Sequence, residues 1–320
     1  MERWDRRSAL RPCEFSVSTF LERLAAPGPA LWLEVAPPRG INPASLLQRL
    51  AGASGDLDAI NLADNALGRV KMSPLIFAAM LRARLDVSLV LNFSCRDRNR
   101  LALKADLLGA AALGVEGVVS LKGDRLAAEQ AGARAVDDLD VFGLLEAIAA
   151  LNRGEAADGR HPLKDRASLA AGVVANPYRK QLEREFELLA RKAAAGARFV
   201  ITQPIFDAET GLRFVRRARD HGLLAVLGVL PIKRESMADY IKERIPDLSG
   251  ARSYFDRFAG LSEAEVRRLS IDQSLQLMDA LGGEAAAFNI MSAGGPSLAI
   301  ELAAEFRRRA RRFSSAATAG

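Results

Sequence analysis

Three side chains able to do acid–base or recognition chemistry interrupt apolar runs of the sequence. Glu34 stands inside ALWLEVAPP, Asp124 closes GVVSLKGD, and Gln203 closes RFVITQP. Glu34 is followed by two prolines that fix the exit of the chain. Burial without a full partner raises a carboxyl's pKa, which suits a general acid near neutral pH. The bland alternative is a buried glutamate satisfied by a lysine or a backbone amide. Asp124 follows a glycine, which lets the backbone approach a ligand closely, yet aspartate is also a common turn cap. Gln203 both donates and accepts, so it suits a flat heterocycle with alternating donors and acceptors; a core amide bonding a neighbouring strand is the alternative. More polar residues follow other apolar runs: Asn61, Asp64 and Asn65, then Asn92, then Lys122 and Gly123, then Asn176. Six such ends are better explained by a ligand pocket than by scattered loop polarity.

These residues need elements to bring them together. Eight short apolar runs read as strands: 30–36, 58–63, 87–93, 117–122, 168–175, 198–203, 224–230 and 286–291. Amphipathic stretches follow them at 43–52, 74–84, 97–113, 138–151, 178–195, 207–220, 235–243 and 297–312. Helix-start signals stand at Asn42-Pro43 and Ser73-Pro74. This count predicts an α/β fold of the (β/α)8 TIM-barrel type, with active-site groups at the C-terminal ends of the strands. A doubly wound sheet is the alternative, but PPRG stands where its phosphate-cradling glycine loop would follow the first strand. Residues 152–167 read as a long polar loop. Residues 244–284 read as extra helices before the last strand, with Ile245-Pro246 ending one of them. The expected organisation is a lead-in over 1–29, a single barrel over 30–312, and a frayed tail over 313–320. That leaves no room in the chain for a regulatory domain or a fused methyltransferase.

Composition narrows the function classes. The chain has 320 residues, 45 basic and 39 acidic, for a net charge of +6. Five of those charges sit in FRRRARRF (306–313), which reads as a solvated basic face that at most attracts a polyglutamyl tail. Aromatics make up 6%, too few for a base-stacking surface, so no nucleic-acid partner is expected. No apolar run approaches the ~18 residues of a membrane span. The N-terminus lacks a secretory pattern, and a cytoplasmic location is expected. Two cysteines, Cys13 and Cys95, and two histidines, His161 and His221, argue against a disulfide framework and a metal site. His221, in a helix-to-strand turn, reads as structural, and the arginines of CRDRNR (95–100) read as ion-pair formers.

Taken in order, LEVAPPRG (33–40), DAINLADNALGRVKMSP (58–74), CRDRNRLALKADLLGAAALGVEGVVSLKGD (95–124), AAAGARFVITQPIFD (193–207) and GVLPI (228–232) resemble the methylenetetrahydrofolate reductase family. The second and third pieces are most similar to the reductases of acetogens and those fused to homocysteine methyltransferase. The resemblance implies a (β/α)8 barrel that reduces 5,10-methylenetetrahydrofolate to 5-methyltetrahydrofolate with NADH or NADPH, usually through FAD. It implies Glu34 as the acid that protonates folate N10, Asp124 as the group stabilising the resulting cation and tuning the flavin, and Gln203 as the pterin-binding amide. It also implies flavin contacts from Asn92, Lys122, Gly123, Asp124, Asn176, Glu185 and Lys192. Lys122 stands where many relatives have arginine, and Asn92 and Asn176 stand where many have histidine. Direct hydride transfer without flavin, as in some relatives, stays open. So do a corrinoid-linked pterin methyltransferase and a non-catalytic folate-binding barrel. Besides the folate, a second copy of the chain or an electron-donor subunit is the protein partner to look for.

Overall fold

The computed structural model describes residues 17–127, 132–155, 162–244 and 251–317. The strands are β1 (Ala30–Val35), β2 (Ala59–Leu62), β3 (Ser88–Ser94), β4 (Gly117–Leu121), β5 (Ala170–Ala175), β6 (Phe199–Pro204), β7 (Leu224–Val229) and β8 (Ala287–Met291). They form a closed barrel in chain order. The described helices are α1 (Val17–Leu24), α2 (Ala44–Ala53), α3 (Pro74–Arg82), α4 (Arg100–Ala112), α5 (Val141–Arg153), α6 (Leu182–Ala194), α7 (Ala208–Asp220), α8 (Glu235–Arg244), α9 (Arg252–Asp256), α10 (Glu263–Leu281) and α11 (Ser297–Ala317). The fold is a TIM barrel, as the alternating pattern predicts. Two compact units divide it: Met1–Arg23, Ala36–Ser54 and Asn61–Gly172 make the first, and Leu24–Val35, Gly55–Ile60 and Val173–Gly320 the second.

In the first unit β3 and β4 pair in parallel from Val90↔Gly117 to Ser94↔Leu121. Both are apolar on both faces, as strands covered by helices must be. Leu89, Leu91, Phe93, Val118 and Val119 are sealed from solvent together with Leu103 and Leu107 of α4 and Leu144 and Ile148 of α5. Helix starts follow side-chain caps. Asn99 Oδ1 accepts from the Ala102 amide at 2.9 Å, and Asp140 Oδ1 from the Gly143 amide at 2.8 Å. These caps put α4 and α5 three residues later than periodicity alone suggests. Ser73 makes no side-chain cap, and α3 begins instead on Pro74, whose fixed φ suits the first turn. Helix α1 falls within the stretch read only as a lead-in; its Val17 amide donates to Ser168 Oγ at 2.8 Å, and Arg23 pairs with buried Glu116.

In the second unit β7, β8 and β1 run in parallel register, Val226↔Ala287 and Val229↔Ile290, then Ala30↔Ala287 and Glu34↔Met291. Trp32 meets Phe199 edge-on with ring centroids 5.7 Å apart, which anchors the centre of this unit. Strand β6 is irregular. Ile201 pairs with Val226 but Pro204 with Gly228, so Thr202 and Gln203 together stand opposite Leu227 alone. The extra helices expected over 244–284 are α9 and α10, which follow α8. With α8 they pack a separate small core of Phe206, Ile232, Ile241, Phe255, Phe258 and Val266. A capping box of Ser262 and Glu265 opens α10. Helix α11 continues to Ala317, past the end expected at 312. Cys13, His161, Ile245-Pro246 and residues 318–320 of the expected tail lie outside the described residues, as does the middle of the 152–167 loop.

Candidate active site

In the first unit, the polar residues after β2, β3 and β4 are knitted to one another. Asn92 is buried, and its Nδ2 donates to Asn61 Oδ1 at 3.1 Å and to the Leu62 carbonyl at 3.0 Å. Asp64 is also buried. It accepts a bidentate pair from Arg98, at 2.6 and 3.1 Å, and the Ser94 amide at 2.9 Å. Arg98 reaches a second acid, Asp106, at 2.9 Å. Arg96 takes Asp97 through two nitrogens at 2.5 and 2.6 Å, and Asn65 Nδ2 adds a bond to Asp97 at 3.1 Å. Burial works against the Asp97 carboxylate, but the Arg96 and Asn65 hydrogen bonds and the arginine charges outweigh it and hold its pKa below the usual range. Arg96 and Arg98 of CRDRNR are ion-pair formers, as read. Cys95 is fully buried among them, and burial, with Asp140 and Asp137, pushes its thiol up to about 11. It is inert rather than nucleophilic at neutral pH.

This framework carries the loop of Lys122, Gly123 and Asp124. Gly123 has φ +93°, and a Cβ there would strike Ser94 Oγ and lie 3.1 Å from Arg96 Cβ. Only glycine fits both the angle and the space. Lys122 is exposed. The Asp124 carbonyl accepts from Arg96 Nη1 at 2.6 Å, while its carboxylate Oδ2 accepts from the Leu67 amide at 2.7 Å. Leu67 has φ +60°, unusual for a branched residue, and its side chain is 68% exposed. Asp124 therefore does hold a turn, and the carboxylate remains exposed to solvent while doing so. Nearby in sequence, burial with Arg39 and Arg69 lowers the pKa of Lys71, a basic group of PPRG and GRVK that patterning alone does not bring together.

In the second unit, Glu34 sits on β1 and is partly exposed. Its Oε2 accepts from Asn289 Nδ2 at 2.9 Å, and Asn289, on β8, is wholly buried. Asn289 escaped the sequence reading, although FNIM interrupts an apolar run as LWLEV does. Gln203 is exposed within the β6 irregularity, beside buried Thr202, whose Oγ1 accepts from the Gly228 amide at 2.8 Å. The pairing to β7 resumes past the irregularity, where the Ile205 amide donates to the Gly228 carbonyl at 2.9 Å, and Gln203 is left exposed.

A third cluster lies at the end of β5. Glu185 of α6 is buried. Its Oε1 accepts from the Asn176 amide at 3.0 Å and its Oε2 from Arg179 Nη1 at 2.5 Å. Lys192, about two turns further along the same face of α6, is buried too and donates to the Val174 carbonyl at 2.7 Å. Burial lowers its pKa, with Glu185 opposing and Arg179 assisting. An ammonium has three donors, and the Val174 carbonyl takes only one from Lys192. Asn176 Oδ1 itself accepts from the Tyr178 amide at 3.0 Å. The structure thus groups Asn176, Glu185 and Lys192, and separately joins Glu34 to Asn289. Among the described residues, no group of three or more His, Cys, Asp or Glu side chains is arranged to hold a metal ion. No described helix is long and apolar enough to cross a membrane. Several arginines of 306–313 pair with acids at the surface, in keeping with a solvated face. Arg307 pairs with Asp58 and donates to the Asp56 carbonyl, Arg309 reaches Asp279 and Glu305, and Arg311 reaches Asp56.

The profile described as methylenetetrahydrofolate reductase matches residues 20–280, which takes in Glu34, Asp124, Asn176, Glu185, Lys192 and Gln203 but not Asn289. The chain belongs to the methylenetetrahydrofolate reductase family. Among solved structures, a Clostridium thermocellum protein that binds two copies of 5-methyl-5,6,7,8-tetrahydrofolic acid is similar over 92% of this chain and 99% of its own, at 14% identity and a TM-score of 0.64. An oxaloacetate acetylhydrolase is similar over 88% of this chain and 82% of its own, at 10% identity and a TM-score of 0.50. At such identities the likeness shows the fold alone. In this family member the two carboxylates in question, Glu34 and Asp124, have different supports: a buried side-chain amide for one and a backbone amide for the other.

Proposed function

We propose that this chain reduces 5,10-methylenetetrahydrofolate to 5-methyltetrahydrofolate, with NADH or NADPH as the hydride donor. The observation that carries the reading is the Glu34–Asn289 pair, a partly exposed carboxyl held in place by a fully buried amide. In this reading Glu34, as the acid, gives its proton to folate N10. The five-membered ring opens, and the N5 methylene becomes an iminium carbon that accepts hydride. One proton and one hydride are consumed, and a methyl group on N5 results. For Asp124 the family resemblance implies a negative charge that stabilises the cation, and within the first unit the Leu67 amide holds that carboxylate in place. Gln203 meets the donor and acceptor edge of the pterin, for which an exposed amide on a rigid strand is suited.

FAD supplies a hydride relay when bound. The residues present fit such a group on one observation, the buried Lys192 ammonium with donors to spare beside Glu185 and Asn176. Lys192, Glu185 and Asn176 are the residues of the second unit that would hold it. Folate-dependent oxidation of NADH or NADPH tests the activity, and Glu34→Gln tests the acid. The variant should lose folate reduction by at least ~100-fold, the usual contribution of a placed general acid, while still binding 5-methyltetrahydrofolate. Unchanged turnover in Glu34→Gln would falsify the role of Glu34. The absorption spectrum of the purified protein reports whether flavin is present.

A further inference from the structure

Among the described residues, three that are not glycine hold a positive φ: Asn65 at 42°, Leu67 at 60° and Asp137 at 49°. Such angles persist only where the surroundings over-determine them, and they gather at sites of function. Each of the three is tied to Arg96 or to a residue that Arg96 holds. Asp137 follows Val136, whose amide donates to the Arg96 carbonyl at 2.8 Å. The buried Arg96 donates from Nη1 to the Asp124 carbonyl at 2.6 Å, and from Nε and Nη2 to Asp97 at 2.5 and 2.6 Å. Asp97 in turn accepts from Asn65 Nδ2 at 3.1 Å. Two residues on, the Leu67 amide donates to the Asp124 carboxylate at 2.7 Å. This chain of bonds begins on the main chain of Asp124, passes through Arg96, Asp97 and the loop after β2, and returns to the Asp124 side chain. Arg98, two residues after Arg96, serves a different purpose, since it closes on Asp64 and Asp106.

We propose that Arg96 is a positioning residue for Asp124: with Asp97 it fixes both ends of that residue and so sets where its negative charge stands. The inference rests on the reductase reading of Asp124 and adds the groups that keep its carboxylate in one arrangement. Asp124 is exposed, where an untethered carboxylate turns among rotamers. A charge stabilises a developing cation best when nothing has to reorganise at the moment of reaction. Arginine suits the task because its planar fork reaches a carbonyl and a carboxylate in fixed directions at once. Lysine keeps the charge and loses the fork. Asparagine at 97 keeps the shape of the acid and loses the charge that holds the fork.

The test is steady-state kinetics of folate-dependent NADH or NADPH oxidation by the full chain. The variants are Arg96→Lys, Asp97→Asn, Asp124→Asn and the double variant Arg96→Lys/Asp124→Asn. A displacement of about 1 Å can cost ~100-fold, so Arg96→Lys and Asp97→Asn should each lower kcat by about tenfold or more. Calorimetric binding of 5-methyltetrahydrofolate should be unchanged in both, because that product carries no cation. In the Asp124→Asn background, Arg96→Lys should lower kcat no further, since it acts through a group already removed. Asp106→Asn, which breaks an ion pair of the neighbouring Arg98, is the control and should keep full kcat. A further fall in the double variant, a parallel loss of folate affinity, or a fall in the control would make Arg96 a structural residue and overturn the proposal. So would full kcat in both single variants while Asp124→Asn is impaired. Full kcat in Asp124→Asn, or no folate reduction by the unsubstituted chain, would instead remove the reading of Asp124 and the proposal with it. Thermal unfolding followed by circular dichroism checks that each variant is folded, and the isosteric Asp97→Asn carries the test if Arg96→Lys is not.

Discussion

Gly228 offers a sharp test of how the barrel positions Gln203. It lies on β7 opposite Pro204, where β6 carries one residue more than its partner. A methyl group at Gly228 would approach the Thr202 carbonyl oxygen to 2.6 Å, Met291 Cε to 2.8 Å and the Gln203 carbonyl carbon to 3.2 Å. The Met291 methyl can swing aside at little cost. The other two atoms are backbone, so relief requires β6 and β7 to part where Thr202 Oγ1 and the Ile205 amide bond to Gly228. Overpacking of this kind costs roughly 1–3 kcal/mol, with the upper half expected because two of the three obstacles cannot turn. For Gly228→Ala, urea unfolding should therefore show a loss of about 2 kcal/mol, and thermal unfolding a fall of several degrees. Because the parted strand carries Gln203, 5-methyltetrahydrofolate should also bind more weakly, by about tenfold if one hydrogen bond is lost. Gly52→Ala, in α2 with nothing within 4 Å of the added methyl, is the control and should be neutral or slightly stabilising. A Gly228→Ala protein with full stability and unchanged folate affinity would refute the link between the β6 irregularity and the amide.

Two further outcomes follow from the first unit. Asp64→Ala strips a buried carboxylate from Arg98 and should cost about 3 kcal/mol, at the low end of the ~3–5 kcal/mol for breaking a buried pair because Asp106 still holds the guanidinium. The double variant Asp64→Ala/Arg98→Met should recover part of that in urea unfolding, and additivity of the two costs would count against a coupled pair. Burial raises the pKa of Glu116, with Arg23 and Ser88 only partly opposing. The folded protein therefore holds that proton more tightly than the unfolded chain, and the contribution of Glu116 is fully present below its unfolded pKa and lost as pH rises through the raised one. Relative to Glu116→Gln, wild-type stability should decline over that window; a difference that grew with pH would mean that Arg23 outweighs burial.

Much of this was legible in the sequence because strand and helix periods differ. All eight apolar runs became strands, and the helices shifted mainly where caps such as Asn99 and Asp140 fixed their starts. Side-chain partners were less legible. The apolar run around Asn289 marks it as unusual, but that it meets Glu34 depends on the register Glu34↔Met291 between β1 and β8, more than 250 residues apart in the chain. Nor does LADNALG announce that Leu67 adopts a positive φ, since leucine has no preference for it. The angle follows from the tertiary clamp of Asp124 on its amide and of Arg125 to Ala127 on Gly68. Gln203 looked like a strand end and is one, but it sits within a register shift that alternation cannot reveal.

The two acids illustrate why residue type alone leaves roles open. Glu34 and Asp124 carry the same functional group, and a sequence gives each the same choice between chemistry and structural service. The structure separates them by what holds them. Asp124 is exposed and receives a backbone N–H, while its own main chain is fixed by Arg96. That setting holds the carboxylate in one place at the surface of its unit. Glu34 is withdrawn into the strand and receives a side-chain amide, which can rotate to present its oxygen to a protonated carboxyl or its nitrogen to an ionised one. An acid that must lose and regain a proton in each cycle needs a partner tolerant of both states, and asparagine is such a partner where a lysine or arginine is not. Asn289→Leu should then impair folate reduction more than folate binding, whereas equal losses in both would reduce the pair to packing.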